Sequence, residues 1–163
     1  MHCKIAQVLA SSVSLANESG KVIRKIFKNG KLGIIDKGGI ANYQTEADRA
    51  VERLIVSSLK TQYPQISVIG EEDEIFDLEK NIISEKCPNV LEKVFPNEAL
   101  NVSENDICVW VDPLDGTAEF VEGYLHHVTV LIGKKRPRKN SYMYNLLSLK
   151  KRRFLHFYFI SEI

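Results

Sequence analysis

The chain has 163 residues, 44% of them apolar, and a formal net charge of +1, which suits one domain with a core of its own. The charge is unevenly placed. Residues 1–133 hold 13 Lys/Arg against 20 Asp/Glu, a net of −7, while residues 134–163 hold nine basic residues against Glu162 alone, a net of +8. Cys3, Cys87 and Cys108 are widely spaced and form no C-x-x-C pair, which argues against a disulfide framework and against a zinc site. Free thiols suit a reducing, cytoplasmic compartment. No run is long enough to span a bilayer, and Gln7 with three serines between Ile5 and Ala16 argues against a signal peptide.

In chain order, Ile5, Val8, Leu9, Ala16, Val22, Ile23, Ile26 and Phe27 recur mainly at three- and four-residue steps. That spacing predicts an amphipathic helix over Ile5–Phe27, stopped by Asn29-Gly30. Leu32–Lys37 and Ile40–Tyr43 flank Gly38-Gly39 and predict a hairpin. Thr45 opens a second helix with Ala47, Val51, Leu54, Ile55 and Leu59 on one face, ended by Tyr63-Pro64. Thr45 followed three residues later by Asp48 reads as a capping box, with Asp in place of the usual Glu or Gln.

Ile66–Ile69 predicts a strand, followed at once by Gly70-Glu71-Glu72-Asp73-Glu74. Four successive acids normally form a solvated loop; the alternative is that Glu71, at the strand's carboxyl end, joins a metal cluster. Phe76–Asn105 reads as a surface excursion with a short helix near Val90–Val94. Ile107–Val111 is an apolar β-branched run that reads as a buried strand ending at Asp112, because Pro113 cannot donate to a ladder. Gly116 permits a turn and Thr117–Val121 starts a helix. Asp112 and Asp115 thus stand where a strand gives way to a helix. They either cap that helix or supply hard oxygen ligands to Mg²⁺ beside free N–H groups suited to phosphate. His127–Gly133 predicts a last strand, with His126 and His127 at its end rather than on a metal.

Three motifs in this order, Thr45-x-x-Asp48, Gly70-Glu71-Glu72 and Trp110-Val111-Asp112-Pro113-Leu114-Asp115-Gly116-Thr117, resemble the inositol monophosphatase superfamily of Mg²⁺-dependent, lithium-sensitive phosphatases. Leu114 within the third motif and the runs Gln44–Arg49 and Gly70–Asp73 are most similar to its bisphosphate nucleotidase branch, which removes the 3'-phosphate of 3'-phosphoadenosine 5'-phosphate. The resemblance implies an α/β fold, the N-terminal half of a layered α-β-α-β-α sandwich, with two helices packed on a largely antiparallel sheet. It implies two or three Mg²⁺ ions held by Glu71, Asp112, Asp115 and the Leu114 carbonyl, with a replaceable Leu114 side chain. Asp48 and Thr117 would position and deprotonate the attacking water, and the Gly116 and Thr117 N–H groups would meet the phosphate. The implied partner is a small phosphomonoester of the adenosine 3',5'-bisphosphate type. The alternatives are an inositol mono- or polyphosphate, or an inactive fragment that serves as a binding module.

The chain also departs from that pattern. Trp110 is the only Trp, so the family's downstream metal-binding Trp-Asp-x-x-Ala segment is absent. Asn42 stands where these enzymes usually carry Asp, and Ala118 where the nucleotidase branch usually carries Lys. Similarity stops at Gly133. Residues 1–133 therefore read as a partial phosphatase domain and 134–163 as an unrelated basic and apolar tail from truncation or a frame change. Otherwise the tail is a real basic segment for nuclear import or for nucleic acid phosphates. Phe154–Ile160 could pair as a substitute strand.

Overall fold

A computed structural model describes residues 3–72, 82–92, 102–135 and 158–159. Helix α1 spans Lys4–Asn29 and ends on Gly30, whose φ of 69° lets its N–H turn back to the Phe27 carbonyl. The hairpin is shorter than its sequence suggests: β1 is Ile35–Asp36 and β2 is Tyr43–Gln44, paired antiparallel. Gly38, Gly39 and Ala41 all have positive φ, and the Asn42 amide donates to the Gly38 carbonyl at 3.0 Å. Backbone of that shape cannot continue a ladder, so residues 37–42 form the loop. Helix α2, Glu46–Gln62, starts at the Thr45 capping box.

Strand β3 is Ser67–Gly70, and α3, Pro88–Leu91, is a single turn. Strand β4 spans Cys108–Asp115, helix α4 Thr117–Glu122, strand β5 Thr129–Lys135 and strand β6 Tyr158–Phe159. The sheet order is β3-β4-β5-β6. β3 runs parallel to β4, and the other two pairings are antiparallel. This is the expected α/β arrangement with a mostly antiparallel sheet. Helices α1 and α2 pack on each other and on one face of β3, β4 and β5. Ile5, Val8, Leu15 and Ile23 meet Val51, Ile55 and Leu59 over Val109, Val111, Val130 and Ile132. Phe120 of α4 is wholly buried and meets the Phe27 ring edge-on at 5.6 Å, tying the end of α1 to the start of α4.

Three expectations are corrected. The β4 strand does not stop at Asp112. Its register jumps from Asp112 opposite Leu131 to Asp115 opposite Thr129, so β4 carries one extra residue and Pro113 sits in a β-bulge, where no ladder donor is needed. Nor is β4 buried on both faces among the described residues: Val109 and Val111 are buried but Trp110 is 50% exposed, with α1 and α2 packed on the face that holds the valines. The last strand begins at Thr129, after a 3₁₀ turn over Leu125–His127 that takes both histidines out of the strand.

Tyr158–Phe159 pairs with Val130 and Leu131, within the segment read as a substitute strand. Asp73, Glu74, most of the excursion after Phe76, residues 93–94 of the short helix, and the basic runs 136–139 and 150–153 lie outside the described residues. Among the described residues no helix is long and apolar enough to cross a membrane.

Candidate functional site

Parallel pairing creates the site. Gly70 lies opposite Val111 in the β3–β4 register, so the next residues along, Glu71 just past the end of β3 and Asp112 within β4 at the start of its bulge, come side by side. The bulge then sets the position of Asp115. In a regular strand, residues three apart point to opposite faces; the extra residue cancels one alternation and returns Asp115 to the side of Asp112.

The electrostatics reflect this crowding. The Asp112 carboxyl is pushed up to about 7, by burial first, then by the charge of Glu71 and a hydrogen bond with it, then by the charge of Asp115. The Leu114 N–H donates to Asp112 Oδ1 at 3.2 Å and opposes the rise. The Thr129 hydroxyl donates to Asp115 Oδ2 at 3.1 Å. Glu71 and Asp115 are exposed, and Asp112 is half-buried.

Asp48 approaches from α2 and is 2% exposed. Its Oδ2 accepts the Thr45 N–H at 2.7 Å and the Thr45 hydroxyl at 2.5 Å, leaving Oδ1 for the Thr117 hydroxyl at 3.2 Å. That hydroxyl also stands 3.0 Å from the Leu114 carbonyl. One oxygen of this carboxylate thus serves the helix cap and the other reaches Thr117, 69 residues on. Burial pushes the Asp48 carboxyl above its ordinary value, against the downward pull of its Thr45 bonds, and the Glu72 charge adds to the rise.

The two neighbouring glutamates have different surroundings. Glu72 accepts the Gln44 amide at 2.6 Å and pairs with Lys37 at 2.8 Å, while Glu71 meets Asp112. Burial alone would lower the Lys37 ammonium, but the hydrogen bond and charge of Glu72, with the charges of Glu71 and Asp48, hold it above its ordinary value. Lys37 and Gln44 were not singled out as site residues from the sequence. Lys37 lies outside every motif and Gln44 counts only as the first residue of the Gln44–Arg49 run; folding of the hairpin brings both to the Glu72 side chain.

At Gly116, φ is 89°, and a Cβ there would stand 3.0 Å from the His127 carbonyl oxygen. Glycine is required for both reasons. The Leu114 side chain is not idle, as the resemblance implies, but 1% exposed within the main core; truncating it would leave a cavity. Among the described residues, no three His, Cys, Asp or Glu side chains stand close enough to hold a metal ion as placed. The chemistry of the donor set nonetheless suits a hard divalent cation. Glu71, Asp112 and Asp115 crowd negative charge around Asp112, and oxygen-only ligands of this kind favour Mg²⁺ over softer metals.

Residues 4–135 match the model of the inositol monophosphatase family. The chain is 39% identical over 134 residues to mouse 3'(2'),5'-bisphosphate nucleotidase 1, covering 81% of this chain and 44% of that protein. Bovine inositol monophosphatase 1 is 33% identical over 123 residues, covering 75% of this chain and 36% of that protein. The chain thus spans less than half the length of these relatives. Among solved structures, the extragenic suppressor protein SuhB of Bartonella henselae superposes with a TM-score of 0.57 at 24% identity, over 79% of this chain and 40% of that one. This last likeness concerns the fold.

Proposed function

The chain belongs to the inositol monophosphatase family, and from that membership we propose that its carboxylates serve Mg²⁺-dependent hydrolysis of a phosphomonoester, the 3'-phosphate of an adenosine 3',5'-bisphosphate. The observation that carries the reading is the Asp48–Thr117 hydrogen bond beside the Glu71–Asp112 pair. It sets a proton acceptor next to a carboxylate cluster. The preference for a nucleotide over an inositol phosphate rests on the higher identity to the nucleotidase.

Glu71, Asp112, Asp115 and the Leu114 carbonyl would hold Mg²⁺, which when bound supplies charge neutralisation for the phosphate and a more acidic water. The other roles fall to this chain's own atoms. Thr117 Oγ1 gives its proton toward Asp48 Oδ1 and keeps a lone pair for the hydrogen of an incoming water. Asp48 is held in register because its second oxygen is fully occupied by Thr45. Its raised pKa makes it a stronger base than an exposed Asp. The Gly116 and Thr117 N–H groups face the phosphate in this reading, and Li⁺ inhibits.

Phosphate release from adenosine 3',5'-bisphosphate and from inositol 1-phosphate, with Mg²⁺ or with chelator, tests the proposal. The expected result is Mg²⁺-dependent release that is faster with the nucleotide. Equal release in chelator would end the metal reading, and faster release from the inositol phosphate would reverse the substrate assignment. No release from either substrate, with Mg²⁺ binding intact, would favour the binding-module reading.

A further inference from the structure

Glu52 is 3% exposed and lies one helical turn after Asp48 on α2, so both carboxylates leave the helix toward the same end of the sheet. A buried carboxylate is costly unless it is hydrogen-bonded. Glu52 Oε2 accepts the backbone N–H of Glu72 at 3.0 Å. Its carboxyl group also lies against Gly70, where any Cβ would overlap it. Residues 70–72 are thereby held on both sides of Glu71 along the chain: before it by the contact at Gly70, and after it by the bond to the Glu72 amide. The Glu72 side chain is drawn outward to Gln44 and Lys37. With its neighbours fixed, Glu71 is left facing Asp112.

We propose that Glu52 is a positioning residue that aims Glu71 at Asp112, and that glycine at position 70 serves to admit the Glu52 carboxylate. The inference rests on the metal-binding reading of Glu71 given above. It assigns Glu52 no contact with metal or substrate; its effect on Glu71 passes through the backbone of residues 70–72. What matters is therefore the reach of the acceptor and not its charge.

Two substitutions separate reach from charge. Glu52→Gln keeps the length and an acceptor oxygen but loses the charge. Glu52→Asp keeps the charge but is one methylene too short. Mn²⁺ binding to the full 163-residue chain is followed by electron paramagnetic resonance, with thermal melts by circular dichroism alongside, and Glu71→Gln as the control for the underlying reading. The expected result is Mn²⁺ affinity within about threefold of wild type for Glu52→Gln, and about 10-fold weaker for Glu52→Asp, the scale seen when a residue supporting a ligand is lost. Glu71→Gln should weaken binding at least as much as Glu52→Asp. The reverse order, Gln weak and Asp near wild type, would assign Glu52 a purely electrostatic role and overturn the proposal. Wild-type affinity in both variants, with lowered melting temperatures only, would reduce it to a structural residue and overturn it equally, while leaving the reading of Glu71 intact. Absence of Mn²⁺ binding in the wild type, or undiminished binding in Glu71→Gln, removes the reading itself and this inference with it.

Discussion

Asp112 is the residue whose behaviour should report the site without any substrate. Its folded-state pKa near 7 lies above the ordinary 3.8, chiefly through burial and then the charges of Glu71 and Asp115. Between those two values the folded chain keeps a proton that the unfolded chain has released. Stability from this group is therefore fully present below about pH 4 and is lost as pH rises toward 7. In chelator, the melting temperature of the wild type should fall between pH 5 and pH 7.5 more steeply than that of Asp112→Asn, measured by differential scanning calorimetry. Parallel slopes would show that Asp112 does not titrate in this range. Single positions also show why the sequence misleads about side chains. Leu114 was read for its carbonyl alone, yet its side chain fills the core, because the bulge that exposes Asp115 turns Leu114 inward.

At the scale of elements, the start of α2 carries two tasks. Thr45 is fully buried, its hydroxyl accepts the Ala47 N–H at 3.2 Å, and it also donates to Asp48. Thr45→Ala should cost about 1–2 kcal/mol in urea unfolding, the upper part of the range for a lost cap, and Thr45→Ser should recover most of it. A cost below a few tenths would mean that the capping box contributes little here. The helices were legible because their apolar spacing is long: α1 spans 26 residues and α2 spans 17. The hairpin and the β4–α4 junction were less so. A two-residue strand has no periodicity to read, and a bulge leaves no trace in composition.

For the whole molecule, the proposed Mg²⁺ binding by Glu71, Asp112 and Asp115 carries a linkage between folding and cation concentration. A cation that binds only the folded chain adds about 2.7 kcal/mol when present at 100 times its dissociation constant. Saturating Mg²⁺ at pH 7.5 should accordingly raise the melting temperature of the wild type, and should not raise that of Glu71→Gln. An identical rise in both would place the cation elsewhere. The layered packing sets the frame for this linkage: α1 and α2 pack on β3, β4 and β5.

Much of the candidate site could be read before any fold was known. Asp48, Glu71, Asp115 and Thr117 stand in short motifs at or near the ends of elements, and Asp112 at the edge of the β4 bulge. Those identities depend on local order along the chain. What only tertiary structure decided was which of these groups touch. The parallel β3–β4 register pairs Glu71 with Asp112, the bulge returns Asp115 to their side, and the packing of α2 brings Asp48 to Thr117, 69 positions away. Glu52, Lys37 and Gln44 entered the same way. Each acts on a partner at least 20 residues distant, and contacts across such separations are made by packing, which no local pattern records.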